Sequence, residues 1–149
     1  MATFNPLLIS HIKEAEGLRC TAYRCPAGRW TIGYGHTLDV RRGMVINGHR
    51  AEELLLEDVA RIVEFLLKKF PWLNENQVAA LADFVFNVGQ TAFEKSTLYM
   101  RIEWKADDEA VCRQLLKWQY YHQGKQAIPS AGLLKRRQWE CAMWKGQLQ

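Results

Sequence analysis

The stretch that decides the fold is Glu16-Gly17-Leu18-Arg19-Cys20-Thr21-Ala22-Tyr23-Arg24-Cys25-Pro26-Ala27-Gly28-Arg29-Trp30-Thr31-Ile32-Gly33-Tyr34-Gly35-His36. Pro26-Ala27-Gly28 is turn chemistry, because proline presets φ and glycine accepts conformations that side chains resist. The stretches on either side, 19–25 and 29–35, therefore predict the two strands of a hairpin. Upstream, Asn5-Pro6 predicts a helix cap followed by proline in the first turn. Leu8, Ile12 and Ala15 then recur at helical spacing, and Gly17 ends the helix. A carboxylate, Glu16, thus stands at a helix terminus beside a hairpin that carries a thiol, Cys25, and a hydroxyl, Thr31. If the hairpin folds back over the helix end, all three face one small space.

Further along, Met44-Val45-Ile46 predicts a short third strand, and from there the pattern is helical almost throughout. Asn47 caps a long helix that runs to Phe70 and is stopped by Pro71. Leu55, Val59, Ile62, Val63, Leu66 and Leu67 are its expected apolar face. Asn74-Glu75-Asn76-Gln77 has the form of a capping box and opens a buried helix through Phe86. Ser96 and Asp107 cap two shorter helices, and a last one, rich in Arg and Trp, starts near Ser130. The expectation is a mainly helical α+β chain in two lobes. A small N-terminal α/β lobe occupies about 1–50, a connecting helix about 48–70, and a helical lobe about 71–149, all within a single domain spanning 1–149.

With 149 residues, nearly half of them apolar, the chain is long enough for a core without covalent staples. No apolar run approaches the roughly 20 residues that span a bilayer. Met1-Ala2-Thr3-Phe4-Asn5-Pro6 lacks the basic flank of a secretory signal, so stable membrane insertion is not expected. A net charge of +4 favours anionic partners, but no concentrated basic recognition helix points to nucleic acid. Cys20, Cys25, Cys112 and Cys141 lack the spacing of a zinc ribbon or a Cys-x-x-Cys pair, and His11, His49 and His122 add no ligand pattern. No metal or other cofactor is expected. A monomer is.

Cleavage of a glycosidic bond needs a proton donor for the leaving oxygen and, in an inverting enzyme, groups that hold a water on the opposite face of the sugar. Glu16 fits the first need and the hairpin side chains fit the second. The spacing Glu-x8-Asp/Cys-x5-Thr, continued as Thr31-Ile32-Gly33-Tyr34-Gly35-His36, resembles the catalytic signature of the phage-type lysozymes, or endolysins. Phe86-Asn87-Val88-Gly89, Ser96-Thr97-Leu98 and Gly132-Leu133-Leu134-Lys135-Arg136-Arg137-Gln138-Trp139-Glu140 resemble later features of that family, in the family's order. The resemblance implies a two-lobed lysozyme-like fold, no cofactor, and hydrolysis between N-acetylmuramic acid and N-acetylglucosamine in peptidoglycan glycan strands. It further implies host-cell lysis, with the protein held in the host cytoplasm and acting in the periplasm after release.

By the same resemblance Glu16 is the general acid, and Thr31 helps position the attacking water. Cys25 stands where relatives carry aspartate or cysteine. A thiol, with an ordinary pKa of about 8.5, accepts hydrogen bonds less well than a carboxylate unless its environment ionises it. His36, Trp118 and Tyr120 are the substrate-binding candidates, the two aromatics (with Tyr121) as stacking surfaces for sugars. His36 has a second reading, a hydrogen bond or ion pair that holds the hairpin. In Lys135-Arg136-Arg137, one arginine is expected to pair with Glu16 or brace the lobes. Two alternatives stay open: a catalytically impaired wall-binding relative, and a Cys-His hydrolase built on Cys25 and His36.

Overall fold

Local signals written into the sequence set most element boundaries in the computed structural model, which describes residues 5–148. The reading of residues 1–4 lies outside this range. Helix α1 (Pro6–Glu16) starts where the Asn5 side chain accepts the Leu7 amide at 2.9 Å, and it stops at Gly17, whose φ of 70° breaks the helical path. Leu8 and Ile12 are buried as expected, but Ala15, in the helix's last turn, is exposed.

Strands β1 (Arg19–Arg24) and β2 (Trp30–Gly33) form the antiparallel hairpin, pairing Tyr23 with Thr31 and Arg24 with Trp30. The second strand ends two residues earlier than predicted. Ile32 and His36 exchange backbone hydrogen bonds of 2.9 Å, so Gly33-Tyr34-Gly35 turns instead of extending. Met44-Val45-Ile46 does reach the hairpin, through Ala22 N–H to Met44 and Ile46 N–H to Cys20, but it stays an isolated bridge, not a strand.

The chain separates into two compact units, the first ending at Arg61 and the second beginning at Ile62. Helix α2 (Gly48–Lys69) runs continuously through that boundary. Its buried stripe is Ala51, Leu55, Val59 and Leu66, spaced by about one or two helical turns, with Leu54 beside it. Leu67, expected on this face, is 44% exposed because it lies one residue beyond the stripe.

Within the second unit, α3 (Glu75–Val88) opens with a reciprocal capping box between Asn74 and Gln77. Two short helices follow, α4 (Gln90–Glu94) and α5 (Thr97–Glu103), the latter capped by Ser96. Then come α6 (Asp108–Leu116), capped by Asp107, and α7 (Ala131–Trp144), capped by Ser130. The sequence reading lacked α4, whose Phe93 is fully buried and meets Phe65, Phe70, Phe84 and Tyr99 edge-on at 5.3–6.3 Å. It also lacked a second hairpin, β3 (Tyr120–Gln123) with β4 (Gln126–Pro129), in the stretch taken as helical.

Buried charge joins α3 to α7. Arg136 grips Asp83 through Nε and Nη2 at 2.9–3.2 Å, with the Asp83 side chain wholly buried. Arg137, also wholly buried, pairs with Glu140, donates to Asn87 at 2.8 Å and lies over the Phe84 ring. Burial and the neighbouring Asp83 carboxylate push Glu140 well above the usual carboxylate range, against the pull of Arg137. Breaking a buried pair by removing one partner costs about 3–5 kcal/mol, because the surviving charge cannot reach water. Asp83→Ala is therefore expected to destabilise the protein by about that amount in denaturant unfolding. A loss below about 1 kcal/mol, the level of an exposed pair, would contradict it.

Candidate functional site

Glu16 is the last residue of α1 and is half-buried. Gly17 and Leu18 then lead into β1. The hairpin turn is closed by the Cys25 N–H donating to the Arg29 carbonyl at 2.9 Å and by the Gly28 N–H donating to the Cys25 carbonyl at 2.8 Å. Continuing the Tyr23–Thr31 register through this turn sets Cys25 opposite Arg29. Cys25 and Thr31 thereby share one face of the ribbon, while Arg24 and Trp30 take the other, the guanidinium 5.1 Å from the ring.

Hydrogen bonding lowers the pKa of the Cys25 thiol. The backbone N–H of Arg29 contributes most, and those of Ala27 and the Thr31 hydroxyl contribute less; together they hold the thiol below its ordinary range despite some desolvation. Arg29 adds a small attraction through its charge. Thr31 is buried, and its hydroxyl also reaches the Arg29 carbonyl at 3.1 Å. The structure thus brings Cys25 and Thr31 together, as the spacing suggested. The hydroxyl has one proton to give, to the carbonyl or to the sulfur, so in either state it keeps lone pairs for a third partner.

His36 is drawn elsewhere. Its Nδ1 lies 2.8 Å from the Asp58 carboxylate and its Nε2 2.8 Å from the Leu38 carbonyl. Both partners are acceptors, so the ring donates from both nitrogens as imidazolium. With its side chain 6% exposed and both ring nitrogens engaged, it fastens the end of β2 to α2. The same engagement removes it as the base of a Cys-His pair. Asp58, which also meets Arg61, escaped sequence reading because it lies 22 residues from its histidine.

Trp118 and Tyr120 belong to the second unit. Trp118 packs edge-on against buried Phe84, ring centres 5.3 Å apart, so its ring is partly committed to packing. Tyr120 and Tyr121 stand on β3, 45% and 50% exposed, and remain available as stacking surfaces. Among the described residues, no group of three His, Cys, Asp or Glu side chains is placed to hold a metal ion. Also among these residues, no helix is long and apolar enough to cross a membrane.

The Asp58 hydrogen bond, outweighing desolvation, raises the His36 pKa above its ordinary value of about 6.5. A raised folded-state value means that this stabilisation is complete below about pH 6.5 and fades as pH climbs through the folded pKa. Thermal melts of the parent should fall with rising pH in that window more steeply than melts of Asp58→Asn, which keeps an acceptor without charge. Parallel slopes for the two proteins would show that the ion pair contributes nothing.

A sequence model described as phage lysozyme matches residues 13–140. An endolysin from Acyrthosiphon pisum secondary endosymbiont phage 1 is 42% identical over 136 residues, covering 90% of this chain and 92% of its own. An endolysin of Salmonella phage P22 is 36% identical over 117 residues, with 74% and 79% of the two chains covered. Among solved structures, the muramidase domain of SpmX from Asticaccaulis excentricus superposes with a TM-score of 0.86 at 32% identity, covering 97% of this chain and 98% of that domain.

Proposed function

Since the chain belongs to the phage lysozyme family and is a peptidoglycan-degrading glycoside hydrolase, we propose that it cleaves the β-1,4 bond between N-acetylmuramic acid and N-acetylglucosamine, with Glu16, Cys25 and Thr31 as its catalytic residues. The observation that carries the residue assignment is the turn that aims the Cys25 sulfur and the Thr31 hydroxyl into common space, at the family spacing from Glu16. Two acceptors on one side of a water take up its hydrogens and turn its lone pair outward, the orientation needed for attack on an anomeric carbon. Glu16 supplies the proton to the leaving oxygen.

The proposed biological setting is host-cell lysis: the protein accumulates in the host cytoplasm and meets its glycan strands in the periplasm once released. Tyr120 and Tyr121 are the proposed stacking surfaces for the polymer, acting as a monomeric enzyme on a substrate much larger than itself. An impaired wall-binding relative is disfavoured by the intact trio. Digestion of purified peptidoglycan decides the bond: new reducing ends at muramic acid support the proposal. Ends at glucosamine, anhydro ends or peptide cleavage each overturn it.

Glu16→Gln keeps the size of the side chain and loses its transferable proton, so turnover on purified peptidoglycan should drop at least about a hundredfold. Near-parental turnover by the folded variant would remove Glu16 from the mechanism.

Thr31→Val keeps the β-branched shape but deletes the hydroxyl, and should lower activity clearly with unchanged circular dichroism. For Cys25, retention in Cys25→Asp with loss in Cys25→Ser would identify an anion at the water site. Activity in Cys25→Ser would identify a neutral hydrogen-bonding role. Parental activity in Cys25→Ala, or in Thr31→Val, would reduce that residue to packing.

A further inference from the structure

The reaction proposed above makes no use of Cys112 on α6 or Cys141 on α7, both free thiols in the second unit. Their contact is reciprocal. The Cys112 sulfur lies 3.9 Å from the Cys141 carbonyl oxygen, and the Cys141 sulfur lies 3.7 Å from the Cys112 carbonyl oxygen. A carbonyl oxygen is about 2.4 Å from its own Cα, so each sulfur falls within roughly 6 Å of the opposite Cα. The side chains therefore point towards each other, and each thiol is within hydrogen-bonding reach of the other. Disulfides join residues whose Cα atoms lie about 4.4–6.8 Å apart, a separation that two sulfurs each so near the opposite backbone allow.

We propose that Cys112 and Cys141 are a disulfide-forming site, held as thiols in a reducing compartment and closed in an oxidising one, where the bond staples α6 to α7. The chain between them includes the β3–β4 hairpin, whose residues are almost all exposed and which has little packing of its own. A crosslink at the two helices would fence that hairpin from both ends and remove much of the freedom the unfolded chain gains there.

The chemistry is thiol–disulfide exchange with a small-molecule disulfide such as oxidised glutathione. One cysteine loses its proton, and its thiolate attacks the oxidant; the S–S bond breaks and one glutathione thiolate leaves. The second cysteine, deprotonated in turn, attacks the mixed disulfide and expels the other. Two electrons pass to the oxidant, which is reduced to two thiols that take up the two protons. Burial of both cysteines holds them in the protonated form, so closure is slow near neutral pH and accelerates as pH rises.

Cys20→Ser/Cys25→Ser leaves these two as the only cysteines in the full chain, and its melting temperature is read without reference to catalysis. Incubation with oxidised glutathione should remove both free thiols, lower the monomer mass by two hydrogens, and raise the melting temperature by about 10 °C, the order expected for a crosslink closing a loop of roughly 30 residues. Dithiothreitol should reverse all three changes. Adding Cys112→Ala or Cys141→Ala should leave a protein that gains no stability on oxidation. Two glutathione adducts, a disulfide-linked dimer, thiols that stay free through prolonged exposure at alkaline pH, or a crosslink that leaves the melting temperature unchanged or lowers it would each overturn the proposal.

Discussion

The chain must reverse within Pro26-Ala27-Gly28, and the geometry of the candidate site rests on that reversal. Two backbone hydrogen bonds, Cys25 to Arg29 and Gly28 to Cys25, close the turn and thereby set the hairpin register. Because strand side chains alternate, a slip of one residue would carry Thr31 to the face now held by Arg24 and Trp30. The irregularity between Arg19 and Tyr23 then bends the far end, where Arg19 stacks over the Tyr23 ring at 4.3 Å. The turn acts on chemistry as well as shape. It aims the Arg29 N–H at the sulfur of Cys25, so backbone geometry tunes the thiol more than any neighbouring charge does.

The second unit is organised on a different principle. Its aromatic rings converge on Phe93, while the charged pairs between α3 and α7 lie in the same interior, with Arg137 over Phe84. Such burial adds little net stability, since desolvating the charges offsets most of their attraction. What it adds is selectivity for one arrangement of the helices, because any other leaves Arg136, Arg137, Asp83 or Glu140 without a partner in the dry interior. The family motif running from Gly132 to Glu140 therefore has a packing role that its basic composition disguises.

Elements with local determinants were legible from sequence. Asn5, Asn74, Ser96, Asp107 and Ser130 all cap helices through their own side chains, and each signal sits within three residues of what it controls. The missed elements lack such signals. Helix α4 has only five residues and no side-chain cap, so its single buried anchor, Phe93, leaves no periodic trace. The β3–β4 hairpin alternates no apolar and polar faces because both faces are largely exposed; only Gly124 at its turn marked it. In the candidate site, Cys25 and Thr31 were legible since a short turn joins them. The engagement of His36 was not, because its partner comes from the distant helix α2.

Composition alone gives the four cysteines one chemical identity, and the fold divides them. At Cys25, hydrogen bonding favours the charged form; at Cys112 and Cys141, burial opposes it. The hairpin that serves Cys25 is itself anchored at its far end by the His36 imidazolium on Asp58. These two ionisations respond in opposite senses to alkali: rising pH brings charge to the sulfur but removes it from the imidazole. A thiolate at the proposed water site would thus become more populated under the conditions that loosen the strand holding Thr31. A carboxylate at position 25 would be ionised well below the pH at which the histidine loses its proton, and would meet no such conflict. With cysteine there, hydrogen bonding to the sulfur must lower its ionisation towards the range in which the anchor still holds, which ties the electrostatics of residue 25 to the stability of the hairpin that carries it.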